Sequence, residues 1–165
     1  MQLKLSLLEK IGDDMASSKI TRRVFRLLII EDDQTRLNTF QTWLPADKIR
    51  LVISSSAGGA IGILTRDRGS VYSGIMLDHD LQQGTLTSTD QALSGTNVVK
   101  AIIENVSPEV PVLVHSMNPS GSQRMMDMLS QAGFEVTRIP MDQLDKKTLV
   151  TWVEKAYSSW EDNLD

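Results

Sequence analysis

Short apolar runs that stop at charged or polar clusters set the rhythm of this chain. Val24 to Ile30 is apolar apart from Arg26 and ends at Glu31-Asp32-Asp33, the pattern of a strand buried in a parallel sheet. Leu37, Phe40 and Leu44 then recur at helical spacing across Gln34 to Leu44, and Pro45 disfavours continuation. Leu51 to Ser54 predicts a second strand and Ala57 to Thr65 a helix weakened by Gly58, Gly59 and Gly62. Gly74 to Leu77 predicts a third strand, ending at Asp78.

The stretch from Gln82 to Thr96 is rich in Thr, Ser, Gly and Gln and longer than the usual strand-to-helix connection, which suits a functional lid or an insertion. A helix starting near Thr96 turns Val98, Val99, Ile102 and Ile103 to a core, and Pro108 and Pro111 precede a fourth strand, Val112 to Val114. That strand runs into His115 and Ser116. Ser122 suits a cap for a helix holding Met125, Met128, Leu129 and Ala132, which Gly133 closes; the methionines read as core filling and surface scatter. Glu135 to Ile139 predicts a fifth strand, and the closing helix covers about Asp145 to Trp160 with Leu149, Trp152, Val153 and Ala156 on one side. Residues 24–160 thus form one domain. Ahead of it, residues 1–23 form an extension that reads two ways: Leu3, Leu5 and Leu7 alternate as in a strand, while Leu7, Leu8 and Ile11 suit a turn of amphipathic helix.

Five strands alternating with five helices imply an α/β fold with a doubly wound five-stranded parallel sheet, because parallel strands need crossover connections. In such sheets ligands bind outside the carboxyl ends of the strands, where the strand order switches. At 165 residues and 41% hydrophobic content the chain can bury a core without staples. It has no cysteine, which excludes disulfides, thiol redox chemistry and Cys-ligated metals, and fits a reducing cytoplasm. A net charge of −4 argues against a DNA-binding surface. Neither a membrane span nor a secretory signal is visible, so the chain reads as soluble and cytoplasmic.

The predicted strand ends carry the chemistry: Glu31-Asp32-Asp33, Asp78-His79-Asp80 and His115-Ser116-Met117-Asn118. Converging carboxylates repel one another unless a cation sits among them, and hard oxygen donors suit Mg²⁺. Asp32, Asp33 and Asp78 are the first choice of ligands; the acidic run taken alone would also suit a solvated helix N-terminus. Both histidines of the chain, His79 and His115, fall at these ends, where an imidazole beside a carboxylate works as acid or base near neutral pH. His115 is the first choice for proton transfer. Asn118-Pro119-Ser120-Gly121-Ser122 leads into a helix whose free amides favour a phosphate, although the same residues make an ordinary capping turn.

With these residues in this order, the chain from about Val24 to Tyr157 resembles the receiver domain of bacterial response regulators, a flavodoxin-like fold. The resemblance implies that Asp32 and Asp33 are the acidic metal pair and Asp78 the phosphate-accepting aspartate. It further makes Ser116 the switch hydroxyl, Pro140 the proline after the last strand, and the backbone of Asp80 a further metal contact. One departure matters: where receivers place a lysine, this chain has Ile139, with Arg138 on the opposite strand face. Leu77-Asp78-His79-Asp80-Leu81 and Val114-His115-Ser116-Met117-Asn118-Pro119-Ser120-Gly121 look like segments of a divergent receiver branch held to process cyclic phosphates.

Two function classes follow. The first is a phosphoesterase dependent on Mg²⁺ (or Mn²⁺), acting on a cyclic phosphate or phosphorylated end, with Asp32, Asp33, Asp78 and Asp80 at the metal. Asp78, His115 and His79 are then catalytic, and Ser116, Asn118, Ser120 and Gly121 hold the phosphate. The second is a signalling receiver phosphorylated on Asp78 by a phosphodonor, or a degenerate receiver that binds a protein partner or a second copy of itself.

Overall fold

The structure is a computed structural model, and it describes residues 23–81 and 93–164. The predicted extension up to residue 22 and most of the predicted lid lie outside these residues.

Strands β1 (Phe25–Ile30), β2 (Ile49–Ser54), β3 (Gly74–Leu77), β4 (Val112–Val114) and β5 (Val136–Arg138) alternate with helices α1 (Gln34–Trp43), α2 (Ala57–Arg66), α3 (Gly95–Asn105), α4 (Pro119–Gln131) and α5 (Lys146–Asp162). All pairings are parallel and the sheet order is β2-β1-β3-β4-β5. The order reverses between β1 and β3, which puts the switch point beside the acidic ends of those two strands.

Side chains alternate across a strand, and the two cores divide accordingly. Leu28 and Ile30 of β1, Ile75 and Leu77 of β3, and Val112 and Val114 of β4 pack under α2, α3 and α4. Phe25, Leu27, Ile29, Met76 and Leu113 pack on the other face against Leu37 and Phe40 of α1 and Leu149, Trp152, Val153 and Ala156 of α5. The three central strands are buried at every position but Arg26, which is why they read as near-continuous apolar runs.

Most predicted boundaries move by one or two residues. The second strand starts earlier, at Ile49, and the fifth shrinks to Val136–Arg138, a half-exposed edge with little to mark its ends. Ser122 is not the cap of α4. Asn118 takes that place, its side chain accepting from the Gly121 amide, and Pro119 sits in the first turn where its missing N–H costs nothing. Ser122 is fully buried one turn in, its hydroxyl donating to the Ser116 carbonyl at 3.4 Å. Gly133 follows α4 at φ +90°, a left-handed stop that favours glycine. Among the described residues no helix is long and apolar enough to cross a membrane.

Candidate functional site

Register places the site. Ile30 is level with Leu77 and Leu77 with Val114. Backbone bonds carry the ladder one step further, with the Asp78 amide donating to Ile30 O at 3.0 Å and the His115 amide to Leu77 O at 3.1 Å. Glu31, Asp78 and His115 therefore stand abreast at the carboxyl edge. By alternation from Ile29, Met76 and Leu113 they share the α1/α5 face. One acidic or imidazole ligand atom from each lies within 4.8 Å of the other two, and all three residues are buried.

Burial of Glu31 is complete, and by itself it would raise the carboxyl's pKa. Contacts reverse this: His115 Nε2 is 3.1 Å from Oε2, the Asp33 amide donates to Oε1 at 2.9 Å, and the Arg36 guanidinium is 3.5 Å from Oε2. Together they hold Glu31 below its ordinary value, as a carboxylate. Arg36 reaches in from the first turn of α1 and also donates to Asp78 Oδ2 at 3.0 Å. Its guanidinium thus bridges the two buried acids and is itself raised, since burial works against it but Glu31 and Asp78 outweigh that. A cation in the first turn of a helix faces the positive end of the dipole, so these acids supply the reason for its place there.

His115 also packs edge-on against Phe40, ring centroids 5.5 Å apart, and is fully buried, its Nδ1 without a hydrogen-bond partner. Its Nε2 faces the Glu31 carboxylate and not solvent. His79 is different, with a side chain 17% exposed at the rim. Its Nδ1 lies 2.8 Å from Asp80 Oδ1, which also accepts from Asn118 Nδ2 at 3.3 Å. The ring leans on the start of α4 so closely that a Cβ on Gly121 would come within 2.6 Å of it. A Cβ on Gly95, opening α3, would meet the His79 Cα at 2.6 Å and Asp78 O at 2.7 Å. Two helix starts therefore clamp the 78–79 turn, and both need a residue without a side chain.

Asp78 Oδ1 turns toward backbone, accepting from the amides of His79 at 2.6 Å and Asp80 at 3.3 Å. Asp33 spends Oδ1 capping α1, taking the Arg36 amide at 3.0 Å, and Asp32 is half-buried beside it. The Ser116 hydroxyl, fully buried, accepts from the Asn118 amide at 3.1 Å. Ser120 Oγ donates to Asn118 Oδ1, the atom that also takes the Gly121 amide at 2.8 Å. The start of α4 is thus already capped from within. Asp78 and His115 come together as the spacing predicts, with Glu31 and Arg36 beside them, while His79, Asp80 and Asn118 form a second group at the rim. Neither Glu31 nor Arg36 was singled out by sequence pattern. The signals that would mark them are parity for Glu31, which continues the 25, 27, 29 face, and a basic residue in a helix's first turn for Arg36.

The fold and this acidic edge define a receiver-type domain, and solved structures agree. The chain is similar to a CheY-like response regulator receiver domain protein from Methanospirillum hungatei JF-1 (TM-score 0.62, 17% identity, 84% of this chain and 98% of that one). It is similar to a response regulator receiver domain protein from Clostridium thermocellum (TM-score 0.60, 17% identity, 84% and 98% covered). A third is the receiver domain of sensor histidine kinase PA1611 from Pseudomonas aeruginosa PAO1, with a magnesium ion coordinated in its active site cleft (TM-score 0.59, 17% identity, 80% and 96% covered). Within that class the chain belongs to the cyclic-phosphate processing receiver domain family, whose profile matches residues 26–131. No curated protein matches it.

Proposed function

We propose that this receiver domain is a metal-assisted phosphoesterase that opens a small cyclic phosphate or trims a phosphorylated end. The observation that carries the reading is the row Glu31, Asp78, His115 set level at the switch point, with His79 and Asp80 at its rim. The family's description and the magnesium in the PA1611 receiver domain support the substrate class and the ion.

The donor set fits Mg²⁺ or Mn²⁺. Glu31 and Asp78 already cradle one cation, the Arg36 guanidinium, and their hard carboxylate oxygens, with Asp32, Asp33 and the Asp80 backbone beside them, suit a small divalent ion. When bound, the ion would polarise the phosphate and lower the pKa of a coordinated water. The chain's own groups do the rest. His79 is the proton carrier, because of the two histidines only it keeps an exposed edge. Asp80 favours the tautomer with hydrogen on Nδ1, leaving Nε2 to take a proton from an attacking water and return it to the departing alkoxide as the ester P–O bond breaks. Asn118 steadies Asp80 from the side. His115 acts through Glu31, keeping a buried carboxylate in place. Ser116, Asn118, Ser120 and Gly121 shape the α4 start that lies against His79 and orients the phosphate end of the substrate.

The test is hydrolysis of a panel of cyclic phosphates with Mg²⁺ or Mn²⁺ by the native chain, Asp78→Asn and His79→Ala. The expected outcome is turnover in the native chain that falls on the order of 10²-fold or more in each variant. If no substrate turns over while a small-molecule phosphodonor stably modifies Asp78, the pocket is a phosphoacceptor that signals to a protein partner. Ile139 speaks against that reading, since it packs with the apolar α1/α5 core level with His115 and brings no cation.

A further inference from the structure

Three features compete for attention away from the proton chemistry. Two open clefts flank Arg23 and Val24 at the opposite end of the sheet, but nothing among the described residues shows what covers them. The third is Arg36, and it carries an inference.

We propose that Arg36 is a built-in counter-ion that a divalent cation must displace, so that metal affinity is set by competition within the chain. This rests on the metal-assisted reading above. The guanidinium Nη1 lies 3.0 Å from Asp78 Oδ2 and 3.5 Å from Glu31 Oε2, the same two carboxylates that an entering ion needs. A divalent ion and a guanidinium on one pair of oxygens repel each other, and Glu31 is too deeply buried for water to screen them. The side chain can leave, because it is 31% exposed and attached at the outer first turn of α1, whose backbone the Asp33 cap holds independently. Nothing in the helix itself favours a cation there, so the acids alone keep it in place. Without it, the two adjacent carboxylates would keep only their His115 and backbone-amide contacts, and the metal-free domain would be strained by their repulsion. Arg36 thus neutralises the empty pocket and taxes every ion that enters it.

The experiment is calorimetric titration of the full chain with Mg²⁺ alone, comparing native, Arg36→Gln and Arg36→Lys. Arg36→Gln is expected to bind Mg²⁺ on the order of tenfold tighter than native, the size of effect that losing one partly buried charge competitor produces. Arg36→Lys, which keeps the charge on a different head group, should fall between them. Equal or weaker binding by Arg36→Gln would overturn the proposal and leave the metal reading standing. No binding by any of the three would overturn both. Should Arg36→Gln fail to fold, the native chain still decides: the ¹⁵N signal of the Arg36 Nε–H should shift as Mg²⁺ saturates. An unmoved signal in a protein that binds the ion would contradict displacement.

Discussion

At Gly95 the space for a side chain is taken by backbone, namely the Cα of His79 and the carbonyl of Asp78. Backbone cannot rotate aside, so Gly95→Ala should destabilise the domain by about 1–3 kcal/mol, the usual range for overpacking, read as a lower urea midpoint. A second residue-scale prediction concerns acid. Asp67 accepts from Arg66 at 2.9 Å and from the Tyr72 hydroxyl at 2.6 Å, and these bonds hold its carboxyl at about 2, against an ordinary 3.8. A carboxyl depressed in the folded state adds stability that is complete above its unfolded pKa and is lost as pH falls through the folded one. Urea titrations between pH 3.8 and about 2 should therefore show stability falling in the native chain, with a shallower fall in Asp67→Asn. Equal slopes in the two proteins would show that this carboxyl is not protected.

The elements place the chemistry through their ends. Helix α1 begins at Gln34 because Asp33 caps it, and the cap orients the turn from which Arg36 reaches Asp78. Asp33→Ala should cost about 1 kcal/mol in metal-free protein, the ordinary value of an N-cap. Measuring it without Mg²⁺ separates that loss from any change in ion binding. The end of β1 was legible as an acidic edge from its apolar run and the three charges after it. Which of the three turns inward was harder to see. Alternation assigns Glu31 to the face of Leu27 and Ile29, whereas Asp33 lies beyond the strand, where parity has no meaning and capping decides its direction. The cap of α4 was misplaced for a related reason: Asn118 and Ser122 are both good caps by residue type, and Pro119 tips the choice because it is tolerated only at the helix's start.

For the whole molecule, the apolar runs, their lengths and the glycine and proline stops contained the alternation of strand and helix. From alternation a parallel sheet with helices on both faces follows, because crossover connections leave little else. The chain thereby determined its fold class, the convergence of three strand ends, and the candidates Asp78, His79 and His115. Tertiary structure alone decided how they divide. The registers of β1, β3 and β4 set Glu31, Asp78 and His115 in one buried row, and the tight approach of α3 and α4 turned His79 to the rim. Arg36 could be matched to Asp78 only once α1 lay against the same face, 42 residues away in sequence. The physical reason is range: hydrophobic periodicity and capping act within a few neighbours along the chain, whereas burial and the pairing of charges depend on contacts that exist only after the sheet has assembled.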